Sequence, residues 1–211
     1  MKVLIAGFGP FPGAPWNPSG HLATALARRR RPALAGIEIT SHVFATAYAS
    51  VDRDLRKLLA QKPDVILIFG LAAPRRHICI ETRARNARSL VFPDAGGSRS
   101  ERAAIETGEP RELTGNAPFA QLLDAVRRTA LPARLSRDAG RYLCNYTYWR
   151  ALEHSHDNHP LVQFVHIPAV AVAPRRGPFK RHGPPLSRLI AAGENLLIVL
   201  LAARRRSSAG H

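Results

Sequence analysis

Asp64-Val65-Ile66-Leu67-Ile68-Phe69-Gly70 (DVILIFG, 64–70) is the stretch that decides the fold. A short unbroken run of aliphatic and aromatic residues, closed by a glycine, reads as a strand buried on both faces. Working back towards the N-terminus, Leu55, Leu58 and Leu59 fall at helical spacing within Val51–Gln61, and Ile37–Phe44 alternates as a second strand. Asn17-Pro18-Ser19 offers a helix cap ahead of Leu22, Ala25 and Leu26. Before it, the apolar run Val3–Ala6 leads into the turn-rich GFGPFPGAPWNPSG (7–20). Working forward, Arg76–Thr82 reads as a strand that puts Cys79 and Glu81 on one face. Residues 93–118 read as a long loop, Phe119–Thr129 as a helix, and Cys144–His154 as a helix with Cys144 near its start. Leu161–Ile167 (LVQFVHI) is the last clear strand, ended by Pro168, and Ser187–Ala203 is a final apolar helix. Strands alternating with helices in this way imply a single three-layer α/β/α domain over 1–203, followed by a basic flexible tail, 204–211.

Charge is the unusual feature of the composition. The chain of 211 residues carries 31 Lys+Arg against 15 Asp+Glu, a net +16, and only Lys2, Lys57, Lys62 and Lys180 are lysines. Such a balance raises nucleic acid as a partner. The clusters Arg28–Arg31, Arg75-Arg76, Arg127-Arg128, Arg175-Arg176 and Arg204–Arg206 are instead scattered over the whole chain, without interleaved lysines and aromatics. We expect no specific nucleic-acid partner. The longest apolar stretch, Leu196–Ala203, falls short of the ~20 residues that span a bilayer, and the N-terminus lacks the apolar core of a signal peptide. These readings lead to the expectation of a cytoplasmic protein with no membrane contact. The two cysteines, Cys79 and Cys144, are then both free, and no CxxC pair suggests a metal.

Three residues carry candidate chemistry. Cys144 at a strand-to-helix turn after Ala139-Gly140 is placed for a nucleophile, though a buried structural thiol fits the position as well. His166 lies in an otherwise apolar strand, which demands a hydrogen-bond partner whether the ring is structural or functional. Glu81, between aliphatic neighbours, needs a partner too: the His166 ring, or one of Arg76, Arg83 and Arg85.

Four blocks in register resemble the pyroglutamyl peptidase I family (cysteine peptidase family C15): GFGPFPGAPWNPSG (7–20), GLAAPRRHICIETRARN (70–86), DAGRYLCNYTYW (138–149) and FVHIP (164–168). The resemblance implies a mixed, mostly parallel sheet of phosphorylase/hydrolase-like type and a Cys144-His166-Glu81 triad that needs no metal or cofactor. It implies a peptide substrate with N-terminal pyroglutamate, whose lactam ring is enclosed by Phe8 and Phe11 and met by the backbone of Leu71. It further implies a homo-oligomer, dimer or tetramer, in which the basic loop 173–185 or the final helix takes part.

The chain departs from the family pattern around the site. Pro74 stands where a glycine is usual and removes an N–H, Val91 replaces an arginine ahead of Pro93-Asp94, and Pro12 follows Phe11. These departures leave a second reading, a catalytically impaired homologue that binds small ligands. The third reading is a basic nucleic-acid-binding module.

Overall fold

The stretch 64–70 is indeed a buried strand, and the sheet is assembled around it. The computed structural model describes residues 1–11, 13–155, 159–171 and 183–209. In chain order the elements are β1 (Lys2–Phe8), α1 (Pro18–Ala27), β2 (Glu38–Phe44), α2 (Tyr48–Leu59), β3 (Val65–Leu71), β4 (Ile78–Glu81), β5 (Arg83–Arg85) and β6 (Glu112–Thr114). They continue with α3 (Phe119–Arg127), β7 (Ala133–Ser136), α4 (Leu143–Leu152), β8 (Leu161–Ile167) and α5 (Leu186–Ala209). Six strands form one sheet in the order β2-β1-β3-β8-β4-β7. All its pairs are parallel except β4 with β8, which run antiparallel. The sheet is therefore mixed and mostly parallel.

The alternation of side chains along each strand decides which helices lie on which face. Val3 and Ile5 of β1 and Val65, Leu67 and Phe69 of β3 pack with α1 (Leu22, Leu26), α3 (Leu122, Val126) and α5 (Leu189, Leu196, Leu197, Leu200). Their neighbours Leu4, Ala6, Ile66 and Ile68 pack on the other face with α2 (Val51, Leu55, Leu58) and α4 (Leu143, Tyr146, Trp149). Burial on both faces explains why β3 and β8 read as continuous apolar runs.

The structure corrects the sequence reading in several places. The segment 93–118 is not all loop: β6 pairs antiparallel with β5, joining Arg83 to Thr114 and Arg85 to Glu112. β7 was not expected; it adds to β4 in parallel at the sheet edge, with Arg134 and Leu135 exposed. Arg204–Arg206 do not belong to a loose tail but continue α5. The basic loop 173–185, Pro12, and the end of the expected tail lie wholly or largely outside the described residues.

The comparison with a bilayer also changes. By length and composition Leu186–Ser208 could cross a membrane, its most apolar 18 residues having a mean hydropathy of 1.7. Its leucines are those that fill the first core face, so its apolarity is used in packing against α1, α3 and the sheet. Glu194, which interrupts the run, is buried and paired with Arg29 and Arg31.

Candidate active site

The parallel strands β1, β3 and β8 all end on one side of the sheet, at Phe8, Leu71 and Ile167, and the site lies there. Side chains at the carboxyl ends of such strands are held by the sheet yet open to the loops above it. Because β4 runs against β8, Cys79 pairs with His166 and Glu81 with Phe164. His166 Nδ1 lies 2.8 Å from Glu81 Oε1, with the two residues 5% and 0% exposed. The same carboxylate oxygen accepts from Arg75 Nη1 at 3.0 Å. Of the arginines considered for Glu81, Arg83 pairs with Glu112 and Arg85 with Asp138 at 3.5 Å.

Cys144 is delivered from the opposite direction. Gly140, at φ 84°, makes a turn that residues with a side chain rarely adopt. Tyr142 then caps α4, placing Cys144 in its first turn, half-buried. The field of a helix N-terminus favours negative charge there. The sulfur lies directly over Gly70 of β3, where a Cβ would come within 2.9 Å of Sγ and 2.8 Å of the Phe164 ring. Gly70 is the register partner of His166, so the Cys144 sulfur and the imidazole are brought together over the end of β3, near enough for the sulfur to act on the ring's charge. The three residues therefore converge, Cys144 and Glu81 on either side of His166.

The electrostatics follow this geometry. Burial alone would lower the His166 pKa, but the Cys144 sulfur and the Glu81 carboxylate outweigh it and push the imidazole up to about 9. Burial raises the Glu81 carboxyl, while the hydrogen bond and charge of His166, with Ser136 and Arg75, hold it below the usual carboxylate range. The arrangement favours a protonated imidazole held against the Glu81 carboxylate at neutral pH.

The surrounding motif residues have identifiable structural work. Asn145, fully buried beside the nucleophile, donates to the carbonyls of Arg85 and Ala87 and accepts from the Arg85 N–H, tying α4 to β5. The Glu81 carbonyl is held by Tyr148 Oη and Gln163 Nε2 at 3.1 and 3.0 Å. Asn17 caps Ser19 and donates to the Gly9 carbonyl, fixing the turn after β1. Asp94 caps α2 across the chain by accepting from the Tyr48 N–H at 3.0 Å. The cap at Asn17 is the one the sequence offered, whereas Asn145 and Asp94 were visible only within the Cys-Asn and Pro-Asp pairs of the motifs, with no sign of these roles.

The residues expected to contact substrate are placed unevenly. Phe8, at 3% exposed, is a core ring against Phe44 and Phe164, with centroids at 5.8 and 6.4 Å. Phe11 is half-buried in the loop after β1, bridged to Ala14. Leu71 ends β3, paired with Ile167 and partly exposed. Val91 is 69% exposed on the segment that Pro93 joins to Tyr142 through a 2.9 Å hydrogen bond. Among the described residues no cluster of three or more His, Cys, Asp or Glu side chains is grouped to hold a metal ion.

The family model described as pyroglutamyl peptidase matches residues 1–185. The chain belongs to the pyroglutamyl peptidase family. It is accordingly a cysteine-type peptidase. Among its relatives, pyrrolidone-carboxylate peptidase of Pyrococcus furiosus is 32% identical over 81% of this chain and 82% of its own length. The protein of the same name from Gloeobacter violaceus is 31% identical over 80% of this chain and 82% of its own. In structure, pyrrolidone carboxyl peptidase from Thermococcus litoralis superposes with a TM-score of 0.86 at 27% identity, over 98% of this chain and 96% of that one. Pyroglutamyl peptidase I of Bacillus amyloliquefaciens gives 0.81 at 26% identity, over 96% and 98%.

Proposed function

We propose that Cys144, His166 and Glu81 are the nucleophile, general base and orienting carboxylate with which this family member removes an N-terminal pyroglutamyl residue from peptides. The observation that carries this reading is the convergence of the three: the Cys144 sulfur packs against Gly70, Gly70 is in register with His166, and His166 Nδ1 lies 2.8 Å from Glu81 Oε1. The thiol proton passes to His166, and the sulfur attacks the pyroglutamyl carbonyl carbon that is bonded to the next residue's nitrogen. Tyr146 is the first residue of α4 whose N–H pairs back into the helix entry, to the Tyr142 carbonyl at 3.0 Å. The N–H groups ahead of it, at Leu143, Cys144 and Asn145, are the donors best placed for the oxyanion. Collapse breaks the C–N bond, and His166 returns the proton to the leaving amine. Water then attacks the thioacyl carbon, His166 takes its proton, and the thiolate leaves with pyroglutamate.

Phe11 and Leu71 are the substrate contacts this reading favours at the lactam, with Phe8 supporting them from the core. An aromatic ring at Phe11 and a strand-end backbone at Leu71 suit an uncharged lactam whose N–H and C=O need few partners. A homo-oligomer, dimer or tetramer, accompanies the reading, and sedimentation of the purified protein tests it. The activity itself is tested with pyroglutamyl-aminomethylcoumarin: the wild type releases the fluorophore and Cys144→Ala does not. A clean, folded wild type that binds pyroglutamate without turnover would sustain the impaired-homologue reading instead.

A further inference from the structure

Arg75 stands between the two arms of the site. Its Nη1 donates to Glu81 Oε1 at 3.0 Å, the oxygen that also faces His166. Its Nη2 donates to the Asp138 carbonyl at 3.0 Å. Asp138 opens the turn through Gly140, its own Oδ1 accepting the Gly140 N–H at 3.0 Å, and that turn leads into α4 and Cys144. We infer that Arg75 is a positioning residue: one guanidinium fixes both the carboxylate that orients His166 and the turn that delivers Cys144, and so sets the spacing of nucleophile and base.

This inference rests on the catalytic roles proposed above. Two further arginines grip the same turn, Arg83 Nε at the Arg137 carbonyl (2.9 Å) and Arg85 at Asp138 Oδ1 (3.5 Å), but neither is bonded to the Glu81 carboxylate. Arg75 is suited to the double task because its nitrogens lie in a rigid planar fork and can meet two acceptors at once, which a single ammonium cannot do. The side chain is presented by a tight turn closed by the Arg75 N–H on the Ala72 carbonyl at 2.9 Å. Pro74 lies inside that turn, where its fixed φ stiffens the presentation and no N–H is drawn from it for this bond. Pro74 is therefore compatible with the arrangement rather than damaging to it.

Groups from every neighbouring element face Glu81: His166 from β8, Arg75 from the β3–β4 turn, Ser136 from β7, Tyr148 from α4, and Cys79 beside Arg75 on β4 itself. Removing Arg75 takes a positive charge from a buried carboxylate, so the acid limb of activity moves towards neutral pH. The test compares Arg75→Met and Arg75→Lys with wild type. Two profiles are measured against pH: kcat and KM for pyroglutamyl-aminomethylcoumarin, and the rate of Cys144 alkylation by iodoacetamide, with peptide mapping to separate it from Cys79.

The expected result for Arg75→Met is a loss of roughly 10²-fold, mostly in kcat, with both acid limbs displaced upward. Arg75→Lys restores the position of the limbs but only part of the rate. Wild-type limbs in Arg75→Met, or a lysine variant no better than methionine, would overturn the inference. Should Arg75→Met fail to fold, the lysine variant decides: an unchanged kcat at an unchanged Tm refutes the clamp. A wild type with no turnover whose alkylation profile still shifts in Arg75→Met would refute the proposed activity and leave Arg75's role standing.

Discussion

His166 and Glu81 sit on hydrogen-bonded neighbouring strands and are almost wholly shielded from water, whereas Cys144 is half-buried at the start of a helix, reached through a glycine turn. Beside that turn the run Leu90-Val91-Phe92 is exposed at 48%, 69% and 66%, although Ser89 and Pro93 on either side of it are bonded to Arg141 and Tyr142. The strand side is fixed by register and by charge pairs in a dry environment. The loop side is fixed by a few directed hydrogen bonds and stays open. The difference separates two requirements of the chemistry: a charged pair must be kept out of water to stay strong, and a nucleophile must be reachable.

That contrast can be broken most severely at Glu81. Glu81→Gln leaves the shape but lets His166 Nδ1 lose its anionic acceptor, and kcat should fall roughly 10³–10⁴-fold with little change in KM. Retained activity would mean that the strand side contributes only packing. Gly70→Ala attacks the junction of the two sides, since its methyl would occupy the space of the sulfur and the Phe164 ring. A loss of about 10²-fold in kcat/KM is expected, with slower alkylation of Cys144 as an independent readout.

A milder perturbation is pH. The folded pKa of His166 is raised to about 9, so its contribution to stability is complete below the unfolded value near 6.5 and is lost as pH rises through about 9. Glu81 is held low, so its contribution is present above the unfolded carboxylate pKa and disappears as pH falls through the folded value. Unfolding free energies from denaturant titrations should therefore peak between about pH 5 and 6.5 and decline by pH 10, by on the order of 3 kcal/mol. In Cys144→Ala the alkaline decline should start at lower pH, because the sulfur's charge no longer supports the imidazolium; a superimposable curve would contradict the coupling. The smallest effect belongs to the open side, where Phe92→Ser should shift the unfolding free energy by no more than about 0.5 kcal/mol.

How far the sequence anticipates the molecule depends on how each residue is stabilised. β1, β3 and β8 were legible because strands buried on both faces must be continuously apolar. β7 was not, because ARLS (133–136) lies at an edge where polar side chains face water and no apolar run is required. β5 and β6 are three residues each, held by polar side chains such as Arg83 with Glu112, which a search for apolar periodicity passes over. The end of α5 was hidden because Arg204–Arg206 and the serines after them continue the helix without any apolar residue to mark it. The triad residues stood out through chemistry that is costly in an apolar context. Arg75 did not, since one arginine among many gives no sign of which carboxylate it serves. The same structure accounts for part of the arginine excess: Arg88 and Arg150 lie over the Tyr146 ring at 4.9 and 5.2 Å, while Arg29 and Arg31 hold Glu194.

The antiparallel pairing of β4 with β8 has a consequence for how the molecule comes into being. Glu81 and His166 are 85 positions apart, and β8 occupies the middle of the sheet between β3 and β4. A chain still lacking β8 has neither its base nor the strand on which both neighbours close, so no fragment ending before it is active. Pairings of such long range are slow to form because loop closure must precede any contact that rewards it. Recovery of peptidase activity during refolding thus times the insertion of one central strand, and the enzyme becomes chemically competent only when its sheet is complete.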